Sequence, residues 1–268
     1  MIFLIKLLRS GWRDIFAALK AYELAGVLGW QDIRQRYRRS SLGPFWLTIS
    51  MGVLIGALGL IFGTLFKSPM KELLPFLSIG LILWTLISTS IIEGCTGFTA
   101  GEAIIKQICL PLFSHILRVL WRNLVIFAHN LIIFPLVLLV FWKPLPAISP
   151  LAIVGLLLLM INLSWMALLL GVFCTRYRDV PQIVASMLQV FFYLTPIIWI
   201  PELLQNRANI FLLNSNPFFH LMEIVRAPLL GVLPSALNWQ VCIVLALAGW
   251  GFTILFYGRF RSRIAYWL

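Results

Sequence analysis

The chain alternates between long apolar runs without charge and connections that hold the ionisable residues. Six runs reach the length that crosses a bilayer, about 20 residues. They are Leu42–Phe66, Leu73–Ile92, Asn123–Trp142, Pro150–Thr175, Val180–Ile200 and Ala236–Tyr257. Ahead of them, Trp12, Ile15, Leu19 and Tyr22 recur at helical spacing, and Gly26 and Gly29 mark a break before a basic helix over about Trp30–Ser41. On that helix Trp30, Ile33 and Tyr37 share one stripe, and Arg34 and Arg38 another. Asp32 stands four residues before Arg36, a spacing that can pair on a helix surface. The pattern predicts an all-α integral membrane protein with six transmembrane helices and an amphipathic interface helix before the first.

Two connections are long. Glu93–Arg122 holds a segment over about 96–109 that suits a short helix. Pro201–Ser235 is apolar but punctuated by Pro217, Pro228, Gly231 and Pro234. Its apolar pieces, Asn209–Leu213 and Pro217–Leu230, are too short to span, and a pair of re-entrant half-helices between spans 5 and 6 fits them. Within it, Glu223 and Arg226 are three apart and able to neutralise each other. The expected organisation is 1–41 as N-terminal and interface helices, 42–257 as the membrane domain and 258–268 as a basic tail.

Charge sets the orientation. Counting alternate connections, 16 of the 21 Lys and Arg residues fall on the side of the amino terminus and 5 on the other. The positive-inside rule places both termini in the cytoplasm. The composition agrees: 61% hydrophobic and 11% charged, against about a quarter charged in soluble domains. The net charge of +12 lies beside apolar spans, so anionic lipid explains it better than nucleic acid. The opening MIFLIKLLRS reads as too short to span, with no cleavage site after it. Cys95, Cys109, Cys174 and Cys242 form no metal or redox motif and read as buried or near-membrane apolar residues.

Chemistry is sparse. No acid or base occupies the core of a span, which argues against proton-driven transport. No phosphate-binding loop exists; the run Gly63–Ser68 lacks its second glycine. His115, His129 and His220 lack catalytic neighbours at a recognisable spacing, and neither a catalytic group nor a metal site is expected. Energy for transport must then come from another subunit. Two stripes stand out. Gly52, Gly56, Gly59 and Gly63 in span 1 make a small-residue face, for packing within one subunit or for a dimer seam. Gln182, Ser186, Gln189 and Tyr193 in span 5 make a polar face, for a wet path or for interhelical hydrogen bonds. Trp84 lies deep in span 2, where a ring can pack a helix or line a sugar path.

The run Asp32–Trp46, the stretch Arg176–Gln182 continuing to Leu194–Ile197, and Asn216–Phe218 with Glu223, Arg226 and Gly231 together resemble permeases of polysaccharide-exporting ABC transporters. These are the type-2 class that exports O-antigen, capsule and teichoic acid. The resemblance implies a homodimer in the bacterial inner membrane, docked on two copies of a separate ATPase that binds ATP and Mg. It implies an ATPase-coupling surface at Gly101, Glu102, Ile105, Lys106, Arg176 and Asp179, and a periplasmic gate over about 201–235 with Pro217, Phe218, Glu223 and Arg226. It implies a channel between protomers lined from spans 1 and 5, which agrees with the glycine and polar stripes there; the expected lining is Gln182, Ser186, Gln189 and Tyr193 of span 5, with Trp84 of span 2.

The expected function is export of a lipid-linked polysaccharide, O-antigen first, with lipopolysaccharide biosynthesis as its setting. The carrier's pyrophosphate would meet Arg34, Arg36, Arg38 and Arg39, whose charge beside the bilayer suits a phosphate. Two alternatives stand beside it. One is a type-2 exporter of a drug or small lipid. The other is a membrane-embedded glycolipid enzyme, which needs converging acid and base groups that the spans do not offer.

Overall fold

The computed structural model of the chain describes residues 2–38, 43, 45–65, 67–199 and 213–268; side chains of 2–7, 10, 36 and 37 lie outside that description. All regular elements among the described residues are helical. They are α1 (Ile2–Lys20), α2 (Tyr22–Tyr37), α3 (Phe45–Leu65), α4 (Met70–Cys95), a 3-10 turn (Thr99–Gly101), α5 (Glu102–Gln107), α6 (Phe113–Leu131), α7 (Ile133–Val140), α8 (Leu151–Arg176), α9 (Val180–Leu194), α10 (Pro217–Leu229) and α11 (Ala236–Trp267).

Among the described residues five helical stretches are long and apolar enough to cross a membrane: α3, α4, α6 with α7, α8 and α11. The fifth expected span is shorter than the hydropathy suggests. α9 has 15 residues, about 22 Å at 1.5 Å each, and Thr195 is extended at φ −94°, ψ 135°. Pro196 explains this, because a proline drives the residue before it out of the helical region.

Three further boundaries move for physical reasons. The helix that carries the third expected span begins at Phe113, ten residues before Asn123, with Arg118 and Arg122 inside it. Its run is divided near Ile132, where Pro135 cannot continue the hydrogen bonding. α2 passes through Gly26 and Gly29 unbroken, and the junction with α1 falls at Ala21. α11 continues past Tyr257 to Trp267, carrying the basic tail on one helix.

α4 is the hub. It is buried along most of its length, and α6, α8, α9 and α10 pack around it. α3 lies at the edge, with only Ile55 and Gly59 buried. α10 presses on α8 at Gly155, where the Ile224 carbonyl leaves no room for a Cβ. α1 lies across α11 at Gly11, where a Cβ would stand 2.9 Å from the Ile254 carbonyl. Cys95, Cys174 and Cys242 are buried, whereas Cys109 is exposed, and all four are free thiols.

Candidate functional site

α9 presents its polar row outward. Gln182, Ser186, Gln189 and Tyr193 are all exposed, while Leu188 faces the bundle. The Ser186 hydroxyl donates to the Gln182 carbonyl at 3.0 Å, within the helix. Among the described residues no neighbouring helix hydrogen-bonds these side chains, and the row forms an outward wall.

Behind the row lies an aromatic layer. Trp84 of α4 stands 5.8 Å from Phe192 and 5.8 Å from Phe218, and Phe191 stands 4.9 Å from Phe218, measured between ring centroids. Trp84 is 8% exposed. It therefore does not share the outward wall with the α9 row, contrary to the expected lining. Its ring holds α4, α9 and α10 together.

The glycine stripe divides. A Cβ at Gly59 would strike Leu74, and one at Gly63 would lie 2.6 Å from the Met70 sulfur, so this half packs α3 on α4. At Gly52 and Gly56 a Cβ would meet nothing within 4 Å.

The α9–α10 junction is tightly bonded. Asn216 caps α10 by accepting from the Phe218 N–H at 3.0 Å, and its amide donates to the Thr195 hydroxyl at 2.9 Å. Pro217 takes the first turn of α10, where a missing N–H costs nothing. His220 links the Asn238 side chain at 2.7 Å to the Asn214 carbonyl at 2.8 Å. Arg226 is 1% exposed. It donates to Glu223 at 2.6 Å and to the Pro196 carbonyl at 2.5 Å, and it lies 4.2 Å from the Phe76 ring centroid. The expected Glu223–Arg226 pair is present; the carbonyl and the ring complete the burial of its charge. Residues 201–212 of the expected gate, with Asn209 to Leu212, lie outside the described residues.

The cytoplasmic end, in the expected orientation, carries two charge clusters. Asp32 of α2 accepts from Arg118 Nε at 2.7 Å and from Arg122 at 2.7 Å, and also pairs with the Arg118 terminal nitrogen. Burial alone raises the Asp32 carboxyl, but the Arg118 hydrogen bond and charge, joined by Arg122, outweigh it and hold the group below its ordinary 3.8. Arg122 also donates to Glu93 at 2.7 Å. The sequence spacing had suggested Arg36 as the partner of Asp32; the bonds described run to α6. Gly29 makes this docking close, since a Cβ there would lie 2.9 Å from the Trp121 ring. Arg34 and Arg38 are exposed. The Arg36 side chain and Arg39 lie outside the described residues.

The second cluster was not anticipated. Asp14 of α1 is 2% exposed. It accepts from the Leu112 and Phe113 N–H groups at 3.2 and 3.0 Å, from the Tyr257 hydroxyl, and from Arg261 at 2.8 Å. It thereby caps α6 and ties α1 to α11. The one signal in the sequence is an acid on the flank of the amphipathic stripe.

α5 lies nearby on the same surface. Glu102 and Lys106 pair at 2.6 Å across one turn, and that hydrogen bond holds the Glu102 carboxyl below its ordinary range. Ile105 is half-buried against the core, and Gly101 is covered by His115, whose Nδ1 would be 2.5 Å from a Cβ. Arg176 stacks near Tyr177 and Trp267, at 5.3 and 5.4 Å. Asp179 is exposed at the start of α9. A cavity of about 250 Å³ separates α5 from the α8–α9 turn, with Cys95, Cys174, Glu102 and Arg178 in its wall. Among the described residues no group of three or more potential ligands is placed to hold a metal ion.

A helical membrane domain with a short surface helix after its second candidate span, and an outward polar row on the helix before α10, fits a membrane transport subunit. The chain belongs to the ABC-2 type transporter family, whose model matches residues 23–230, from α2 to the end of α10. Among curated relatives, the O-antigen export system permease protein RfbA of Myxococcus xanthus is 25% identical over 206 residues. The match covers 74% of this chain and 76% of that relative.

Proposed function

We propose that this chain is the membrane subunit of an ATP-driven exporter that carries a lipid-linked polysaccharide, O-antigen foremost, from cytoplasm to periplasm across the bacterial inner membrane. The observation that carries the reading is the α9 row. Four polar or amphipathic side chains stand exposed on an apolar helix, where lipid would penalise them. A second copy of the chain facing this row would enclose a wet path. The named function of the Myxococcus relative supports a glycan as the cargo.

In this reading α9 belongs to the sixth crossing, and both termini are cytoplasmic. α10 dips into the outer leaflet as part of the periplasmic gate, with Pro217 and Phe218 at its tip and Arg226 neutralised by Glu223. The open Gly52–Gly56 face of α3 adjoins the second copy. Two ATPase subunits, which bind the ATP and Mg, dock on α5 and on the Arg176–Asp179 turn. Arg34 and Arg38, with Arg36 and Arg39, meet the carrier's pyrophosphate. Asp32 is already occupied by Arg118 and Arg122, which leaves the exposed arginines their charge for an anion.

The test is reconstitution into proteoliposomes with the companion ATPase and a labelled polyprenyl-linked glycan. The expected result is ATP-dependent appearance of the glycan on the opposite face. Movement or modification of the glycan by the chain without the ATPase would overturn the reading.

A further inference from the structure

Cys95 closes α4, and Cys174 lies in the last turn of α8. Both are buried free thiols. The backbones of the two helices touch beside them. A Cβ on Gly94 would lie 2.6 Å from the Ala167 Cβ, and one on Gly171 would lie 3.0 Å from the Gly94 carbonyl. With no side chain to hold the helices apart there, the two thiols interact directly with each other. A disulfide needs Cα atoms within about 7 Å, and a glycine contact between helices favours such an approach.

Both cysteines also line the cavity of about 250 Å³ between α5 and the α8–α9 turn. Most of the other polar groups in its wall are occupied. The Thr96 hydroxyl donates to the Glu93 carbonyl at 3.2 Å, the Thr99 hydroxyl donates to the Thr96 carbonyl at 3.0 Å, and Glu102 is paired with Lys106. The thiols are therefore the nucleophiles that a small molecule meets there. One water takes about 30 Å³, so the space admits an oxidant as small as hydrogen peroxide. The two helices lead to different parts of the surface: α4 runs through the 3-10 turn into α5, and α8 runs into the Arg176–Asp179 turn.

We propose that Cys95 and Cys174 form a peroxide-responsive dithiol, which closes to a disulfide and ties the α5 end of α4 to the α9 end of α8. The Cys95 thiolate attacks one peroxide oxygen. The O–O bond breaks, and the departing hydroxide takes up the thiol proton as water, leaving Cys95 as a sulfenic acid. The Cys174 sulfur then attacks the Cys95 sulfur. The S–O bond breaks, and the hydroxyl leaves with the Cys174 proton as a second water. Each sulfur gives one electron, and the peroxide takes both. A small dithiol reverses the bond by exchange and becomes a disulfide itself. A bond of this transient kind suits a reducing compartment. Its formation does not depend on the export reading. Its consequence does rest on that reading: the bond fixes the spacing of the two segments assigned to the ATPase.

The test uses the full chain in nanodiscs with Cys109→Ser, which removes the exposed thiol. After peroxide, quenching and unfolding, two of the three remaining thiols should resist alkylation. Peptide mass mapping should show Cys95 joined to Cys174, and dithiothreitol should restore both. The bond should raise the unfolding midpoint, since it constrains the unfolded chain. Adding Cys174→Ser should abolish the crosslink and leave a Cys95 sulfenic acid that dimedone captures. If that variant does not fold, the mapping in the parent decides. Binding of the companion ATPase should be lost on oxidation and regained with dithiothreitol. A reduced chain that binds no ATPase would count against the export reading and leave the mapped bond standing. Cys95 and Cys174 both alkylatable after peroxide, or a crosslink that lowers the midpoint, would overturn the proposal. ATPase binding that is unchanged by a complete crosslink would overturn its control of the surface.

Discussion

The Tyr257 hydroxyl donates to the Asp14 carboxylate across 243 residues of chain, and the same carboxylate accepts the first N–H groups of α6. One buried acid thus joins α1, α6 and α11. Removing it leaves buried donors unpaired, which costs about 1–3 kcal/mol for each group. Asp14→Ala should lower the unfolding midpoint in detergent more than Asp14→Asn, and Tyr257→Phe should lower it least. A double-mutant cycle on Asp14 and Tyr257 should show coupling of about 0.5–3 kcal/mol. Additive effects would mean the two groups do not share this bond.

Asp32 predicts a pH signature. Its carboxyl titrates below 3.8 when folded because Arg118 and Arg122 favour the charged form. A depressed pKa contributes stability that is complete above the unfolded value and lost as pH falls through the folded one. Asp32→Asn should therefore destabilise the protein by about 2 kcal/mol near neutral pH. The difference from wild type should shrink below pH 3.8. A pH-independent difference, followed by chemical unfolding, would show that packing and not charge docks α2 on α6.

The two halves of the α3 glycine stripe should behave differently. Gly59→Val and Gly63→Val drive a side chain into Leu74 and Met70 of the same chain, and overpacking costs about 1–3 kcal/mol. Gly52→Val and Gly56→Val meet open space and should leave the unfolding midpoint unchanged. If this face abuts a second copy, they will shift the native mass spectrum toward monomer. An undisturbed dimer would place the seam elsewhere.

These cases show what the sequence could and could not reveal. Hydropathy located α3, α4, α8 and α11 because a bilayer-spanning helix has to be apolar along its length. The third apolar run starts at Asn123, ten residues inside a helix that begins at Phe113, because an uncharged run ends at Arg122 while the helix passes through Arg118 and Arg122. Asp32 and Glu93 neutralise them, and both partners come from distant segments. The end of α9 was legible, since Thr195-Pro196 carries its own stop, but the apolar residues beyond it masked the signal. Gly29 reads as a breaker by propensity, whereas its position against Trp121 makes it a packing residue. The α9 row was legible as periodicity. Its outward direction was not, because direction depends on which face α4 covers.

Arg226 tests how a buried charge is kept in α10. Glu223→Gln removes its counter-ion and leaves the guanidinium with the Pro196 carbonyl and the Phe76 face. Breaking a buried pair from one side costs about 3–5 kcal/mol. Glu223→Leu together with Arg226→Met should cost less than Glu223→Gln alone, since no charge is then stranded. The comparison is made by thermal unfolding in nanodiscs. A double variant less stable than the single one would mean that the arginine's other contacts, and not the ion pair, hold α10 in place.

Gln182 and Gln189 separate a channel wall from a packing surface. Both amides are exposed on α9, so Gln182→Leu with Gln189→Leu changes outward positions only. Replacing a polar group that lipid would penalise should leave the unfolding midpoint unchanged or raise it. A hydrated path, by contrast, loses two groups that wet its wall. ATP-driven glycan export in the reconstituted complex should then fall while insertion and ATPase binding persist. Ser186→Ala should have a weaker effect, because that hydroxyl is already turned to the Gln182 carbonyl. Full export by the double leucine variant would place the row against lipid or protein, and the corridor would have to run along another face.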